Sequence, residues 1–209
     1  MIISDRTILV DVDSVLLDWL SGFHSWMATT GFVDTFLTEP PRDQMVDPYA
    51  LHTQYGLPDN MIFTLIKMFN SSVHIGELSP MHGARGPVRY LVDEGFHFHA
   101  LTSFSDNLSA FEMRKQNLKA VFGEGAFSGF TFLPLRASKA EVLNTIAKSH
   151  IVKPLVWIDD LPHHALAGAN AGIPSINFDP YGIHKDQEGI TRLTNWNRIV
   201  NYIEERYDY

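Results

Sequence analysis

Two acidic pairs stand out because each ends an apolar run. Asp11 and Asp13 close the stretch Ile8-Leu9-Val10-Asp11-Val12-Asp13, and Asp159 and Asp160 close Leu155-Val156-Trp157-Ile158-Asp159-Asp160. In an open parallel sheet, ligands bind beyond the carboxyl ends of the strands. Asp11 and Asp13 reach that crevice together if the chain leaves strand geometry after Asp11, whereas in a regular strand they share one face. Such a pair suits covalent phosphoryl transfer, with one carboxylate attacking phosphorus and the other moving a proton. Acids that repel each other and a phosphate dianion need a cation. Mg²⁺ accepts a few carboxylates, waters and phosphate oxygens, so Asp11, Asp159 and Asp160 are candidate ligands.

Two further features complete a set. Phe98-His99-Ala100-Leu101-Thr102-Ser103 is an apolar run ending in hydroxyl residues. Thr102 and the backbone N–H that follows it, that of Ser103, could hold phosphoryl oxygens. Lys139, in Arg136-Ala137-Ser138-Lys139, sits where a helix should start and could neutralise both a phosphate and Asp11. Each feature has a plainer reading. Asp159 and Asp160 could cap a helix ahead of Leu161-Pro162, Thr102 could begin a turn, and Lys139 could lie on a solvated face. It is their order along the chain, each after its expected element, that makes them specific together.

Elements must hold these residues in place, and short apolar runs mark strands at Thr7–Val10, Phe96–Leu101, Phe130–Leu133, Leu155–Ile158 and Ile173–Phe178. Helical spacing fills Gly86–Glu94, Asn107–Phe122 and Ala137–Ala147, and His163–Ala171 reads as a small helix stopped by Gly172. Alternation of this kind predicts an α/β protein with a parallel sheet covered on both faces. The first strand is isolated from the rest by a long segment rich in aromatic residues, including Trp19, Phe23, Trp26, Phe32, Phe36, Tyr49, Tyr55, Phe63 and Phe69. It reads as an inserted helical cap, residues 19–80, with a helix at Leu57–Phe69 carrying Pro58 in its first turn and a loop at Glu39-Pro40-Pro41. Residues 1–18 and 81–209 would form the core. Trp19, Phe23 and Trp26 read first as packing and only second as a surface for stacking a base.

Composition narrows the classes. The chain has 209 residues, 45% hydrophobic and 19% charged, enough for one globular core. Its net charge of −8 argues against binding a nucleic-acid polymer. With no cysteine, disulfides and thiolate metal sites are excluded. The ten histidines lack the spacing of a helical zinc site and read as structural or surface residues. The terminal charges Glu204, Glu205, Arg206 and Asp208 read as a solvated helix end. The N-terminus lacks the pattern of a signal peptide and no run is long enough for a membrane span, so the expectation is a soluble, cytoplasmic protein. Its partner would be a small phosphorylated molecule; a homodimer stays open.

The chain resembles the haloacid-dehalogenase-like (HAD) hydrolases, whose four motifs occur in this order. Asp11-Val12-Asp13-Ser14-Val15 is similar to the first, Thr102 to the second, Lys139 to the third and Asp159-Asp160 to the fourth. Asp18 falls where many members carry an acid, whereas Ser14 stands where glycine is usual. The resemblance implies a Rossmann-like three-layer core, Mg²⁺ and an aspartyl-phosphate intermediate. It implies Asp11 as nucleophile and metal ligand, and Asp13 as general acid/base giving its backbone carbonyl to the metal. Glu77-Leu78-Ser79-Pro80-Met81-His82-Gly83-Ala84, with Leu101-Thr102-Ser103 and Ile158-Asp159-Asp160, is similar to the 5′(3′)-deoxyribonucleotidases. That likeness implies a nucleoside monophosphate as substrate. A phosphatase for a sugar or other small metabolite, and a non-catalytic phosphate- or partner-binding module, are the alternatives.

Overall fold

A computed structural model of the chain describes residues 5–31, 50–148 and 154–207. Phe32, Phe36, Tyr49, the Glu39-Pro40-Pro41 loop and Asp208 lie outside the described residues. Among the described residues six strands form one parallel sheet: β1 (Thr7–Val10), β2 (His97–Ser103), β3 (Phe127–Leu133), β4 (Val156–Asp159), β5 (Ser175–Phe178) and β6 (Thr191–Leu193). Their order across the sheet is β3-β2-β1-β4-β5-β6. The direction of winding therefore reverses between β1 and β4, which opens a crevice at their carboxyl ends.

Strands β1, β4 and β5 are buried along their whole length, as parallel strands between two helical layers must be. The layers are built by α4 (Arg85–Asp93), α5 (Leu108–Phe122), α6 (Ala140–Lys148), α7 (Pro162–Asn170) and α8 (Trp196–Tyr207). Pro162 opens α7 at a position whose N–H has no helical partner to lose, and Gly172, at φ +80°, turns the chain out after it. Gly168 brings α7 onto the sheet, since a Cβ there would lie 2.4 Å from the Trp157 ring and 2.6 Å from Ser175 Oγ.

Between β1 and β2 come α1 (Trp19–Thr29), α2 (Leu51–Tyr55), α3 (Asp59–Asn70) and a 3-10 turn at Val73–Gly76. Pro58 is the residue before α3 and not within its first turn. The aromatic residues of this insertion bury one another. Trp19 stacks on Phe23 with ring centroids 5.0 Å apart, and both meet Phe69 edge-on at 5.6 Å. The packing reading thus holds for Trp19, Phe23 and Trp26, which are all buried. Asn70 ties the insertion to the sheet: it accepts from Trp19 Nε1 at 2.8 Å and donates to the Phe104 carbonyl at 2.8 Å. The two connecting segments run side by side, with Asp18 N–H donating to Ser79 and Met81 N–H to Leu16.

Several elements differ from the sequence expectation. Strand β3 begins at Phe127, three residues earlier, because Gly129 interrupts its apolar run. That glycine admits the ring of His99, whose Nδ1 would lie 2.6 Å from a Cβ. Helix α6 begins at Ala140 and not Ala137, because a turn at Pro134–Ala137 and the Ser138 side chain precede it. Strand β6 was not anticipated: three half-buried residues with no apolar run show no period, and pairing with β5 makes them a strand. No helix among the described residues is long and apolar enough to cross a membrane.

Candidate active site

Register brings the candidate residues together. Val10 pairs with Ala100 on β2 and with Ile158 on β4. The residues one and two places beyond those pairs are therefore Asp11, Thr102 and Asp159, around the reversal point. Asp11 N–H still donates to the Ile158 carbonyl at 2.9 Å, but the chain then leaves the strand. The N–H groups of Leu16 and Leu17 return to the Val12 carbonyl at 2.9 Å, forming a tight turn. This is the departure from strand geometry that Asp11 and Asp13 needed.

The turn passes through Ser14 at φ +59°, a left-handed conformation that favours glycine. Ser14→Gly should therefore raise stability by up to about 1 kcal/mol. Urea unfolding would check it, and an unchanged or lower midpoint at equal slope would show that the serine hydroxyl offsets the strain. Asp18 lies at the end of the same turn and caps α1, accepting from Ser21 N–H at 3.1 Å.

Lys139 is the centre of the cluster. Its Nζ lies 2.6 Å from Asp11 Oδ2 and 2.7 Å from Asp159 Oδ2. It is 1% exposed, which rules out the solvated-face reading. Ser103 helps to place it, donating its hydroxyl to the Ala137 carbonyl at 2.9 Å and so tying the end of β2 to the loop before α6. The second oxygen of Asp11 accepts from Val12 N–H at 2.7 Å, and that of Asp159 accepts from Leu161 N–H at 2.9 Å. The backbone of Asp160 is held by Asn177, which donates to its carbonyl at 2.8 Å. Thr102 and Asp160 are buried at the same carboxyl-end rim.

Burial sets the electrostatics. Desolvation, with the Asp159 and Asp13 charges adding to it, pushes Asp11 up to about 6 against the pull of Lys139. Asp13 is raised as well, by burial first, with the Arg114 guanidinium opposing. Asp159 goes the other way: burial would raise it, but Lys139 and His164 hold it below the usual carboxylate range. Burial works against the charge of Lys139, yet Asp11 and Asp159 together raise its pKa. Asp11, Asp159 and Asp160 each offer an oxygen within 4.8 Å of the other two. With Asp13, four carboxylates face two buried cations, Lys139 and Arg114. That imbalance, and an all-oxygen donor set, fit a hard divalent cation.

No family model matches the chain. It is 30% identical over 159 residues, 76% of its length, to the uncharacterized 32.4 kDa protein of the gp30–rIII intergenic region of Enterobacteria phage T4. The chain spans about half the length of that relative, 55%. Solved structures match far more completely. A Clostridium acetobutylicum protein described as a predicted phosphatase superposes with a TM-score of 0.63 at 18% identity, over 97% of this chain and 99% of its own. YfnB of Bacillus subtilis, described as a putative HAD-hydrolase and bound to magnesium, gives 0.59 at 13% identity, over 96% and 99%. CbbY of Rhodobacter sphaeroides, in complex with xylulose-(1,5)bisphosphate, gives 0.53 at 16% identity, over 92% and 95%.

The fold is that of the HAD hydrolases. Seen on the HAD fold, Asp11, Thr102, Lys139, Asp159 and Asp160 gather at the carboxyl ends of β1, β2 and β4 and the start of α6. Two neighbours of the cluster carried no sequence signal. His164 Nδ1 lies 3.4 Å from Asp159 Oδ2. Arg114, from the middle of α5, places Nη1 2.7 Å from Asp13 Oδ1. Neither follows a strand, so position along the chain could not single them out.

Proposed function

We propose that the protein is a divalent-cation-dependent phosphomonoester hydrolase that works through an aspartyl-phosphate on Asp11. The observation that carries this reading is the Asp11–Lys139–Asp159 cluster at the reversal point of a HAD-type sheet. Asp11 and Asp159, with Asp160 and the Asp13 backbone carbonyl, would hold Mg²⁺. When bound, the cation screens the carboxylates from the phosphate and polarises it for attack.

The chain's own groups account for the steps. The Thr102 hydroxyl, the Ser103 N–H and Lys139 hold the phosphoryl oxygens. Phe104 N–H donates to Leu133 on β3, so strand alternation turns the Ser103 N–H to the β1 side, toward Asp11. The Ser103 hydroxyl positions Ala137 instead. Asp11 attacks phosphorus while Asp13 gives its proton to the departing alkoxide oxygen. Asp13 then takes a proton from water, whose oxygen attacks the same phosphorus and releases Asp11 and phosphate. The described part of the insertion, residues 19–31 and 50–80, would act as a cap that selects the leaving group.

For the substrate we favour nucleoside monophosphates, deoxyribonucleotides among them, on the resemblance of residues 77–84 to the deoxyribonucleotidases. The buried Trp19 cluster gives no base-stacking surface. Phe63 is a better candidate, half-buried on α3 with the Arg136 guanidinium 4.4 Å from its ring centre. A second reading, a sugar-phosphate phosphatase, draws on the sugar bisphosphate in the Rhodobacter structure. Phosphate release from nucleotides and sugar phosphates, with Mg²⁺ and with chelator, separates the two. Cation-dependent release that favours nucleotides supports the first. Preference for sugar phosphates leaves the chemistry and removes the substrate. No release from any ester leaves a non-catalytic binding module.

The pH dependence of cation binding is a separate expectation. With Asp11 near 6 in the metal-free protein, a proton occupies the carboxylate below that pH and must be displaced. Apparent Mg²⁺ affinity should be level above about pH 7 and fall roughly tenfold per unit below 6. Calorimetric titrations that give the same affinity at pH 5 and 7.5 would mean that the cation displaces no proton from Asp11.

A further inference from the structure

Arg114 poses a problem of placement. It is wholly buried in α5, beneath the site, with its guanidinium 4.9 Å from the Phe104 ring centre. Nη1 lies 2.7 Å from Asp13 Oδ1 as an ion pair, although neither atom completes a well-aligned hydrogen bond, and Nε and Nη2 meet no acceptor among the described residues. A buried guanidinium with unmet donors is a poor way to stabilise a fold, since apolar side chains of similar volume usually do as well or better. Its geometry suits another task. Asp13 Oδ1 is sealed from solvent, while the Asp13 side chain as a whole remains 22% exposed. The exposed part of the side chain therefore excludes Oδ1.

We propose that Arg114 is a positioning residue: by pinning Asp13 Oδ1 it fixes the carboxyl plane so that Oδ2 faces the leaving group. Phe104 directly follows the phosphate-holding end of β2, and its carbonyl is fixed by Asn70. The shelf under Arg114 is thus continuous with the phosphate site. An aspartate held by one oxygen presents the other in a single direction, which proton donation in the transition state requires. Without Arg114, the side chain turns about its χ angles and the donor is lost from most of the population.

This inference rests on the phosphatase reading, and the test keeps the two apart. p-Nitrophenolate departs at pH 7 without a proton, whereas an alkoxide needs one. The comparison is kcat/KM for p-nitrophenyl phosphate against the best alkyl monophosphate of the substrate panel, because kcat/KM is blind to later dephosphorylation. Arg114→Met should lower kcat/KM at least thirtyfold on the alkyl ester and less than threefold on the aryl ester. Arg114→Lys, which keeps a donor toward Oδ1, should recover most of the loss. Should the Met variant not fold, the Lys variant must still show a smaller loss confined to the alkyl ester. Equal losses on both esters, or no loss on either, with an active wild type, would overturn the role of Arg114 alone. A wild type inactive on both would take the phosphatase reading with it.

Discussion

Asp11→Asn will lower phosphate release by about 10³-fold or more while leaving the fold intact. Asparagine keeps the shape and can still accept from Val12 N–H, but it cannot attack phosphorus, and loss of a nucleophile costs rates of this order or larger. The variant also carries a stability signature with a definite sign. Burial raises Asp11 to about 6, above its ordinary 3.8. A raised acid stabilises the fold below its unfolded pKa, and that contribution is lost as pH rises through the folded one. At pH 7.5 the ionised group therefore works against folding in metal-free protein. The variant should melt at or above the wild-type temperature without Mg²⁺, and should gain less from adding it. A fall in melting temperature parallel to the fall in activity would mean that Asp11 serves the fold and not the reaction.

Lys139→Met should have the largest effect on stability. It takes the one ammonium group from between two buried carboxylates, Asp11 and Asp159, each within 2.7 Å of it. Breaking a buried pair by removing one partner costs about 3–5 kcal/mol, since the remaining charges keep their desolvation penalty. The methionine matches the stem and can still lie on Trp157, over whose ring the ammonium sits at 5.3 Å, so lost packing is a minor part. Activity should fall by about 10²–10³-fold because a phosphate-stabilising charge is gone. Mg²⁺ should recover part of the stability and little of the activity. Denaturant unfolding with and without the cation checks both. A variant as stable as wild type in chelator would contradict the charge balance described for the cluster.

How far the sequence foretold this depends on what kind of signal each part leaves. Strand β1 was legible to the residue, because three consecutive buried apolar residues after Thr7, followed by an acid, leave few alternatives. Asp11, Asp159 and Lys139 were legible for a related reason: the ends of buried strands and the starts of helices are fixed points, and polar residues there stand against an apolar background. Strand β3 was foreshortened by Gly129, whose purpose, admitting His99, is visible only across strands. Arg114 escaped because a long cationic side chain on a helix looks the same whether it reaches into solvent or under an active site. Only the packing of α5 beneath the β2 end distinguishes them. The contact of the Ser103 hydroxyl escaped for a similar reason, since its partner, Ala137, is 34 residues away along the chain.

The same packing would let an acidic protein hold the phosphate of the proposed substrate. The net charge of −8 is a property of the whole chain, while Lys139 and Arg114 place positive charge beside the carboxylates and out of solvent. Long-range attraction for polyanions is absent, and short-range attraction for one phosphoryl group is concentrated at a buried point. That fits the small phosphorylated substrate proposed above.

The most direct test of the covalent scheme is the stereochemical course at phosphorus, followed with a substrate whose phosphoryl group is made chiral with sulfur and oxygen isotopes. Attack by Asp11 and then by water is two in-line displacements, so the released phosphate should keep the configuration of the substrate. Inversion would mean that water attacks the ester directly, and would contradict Asp11 as the nucleophile.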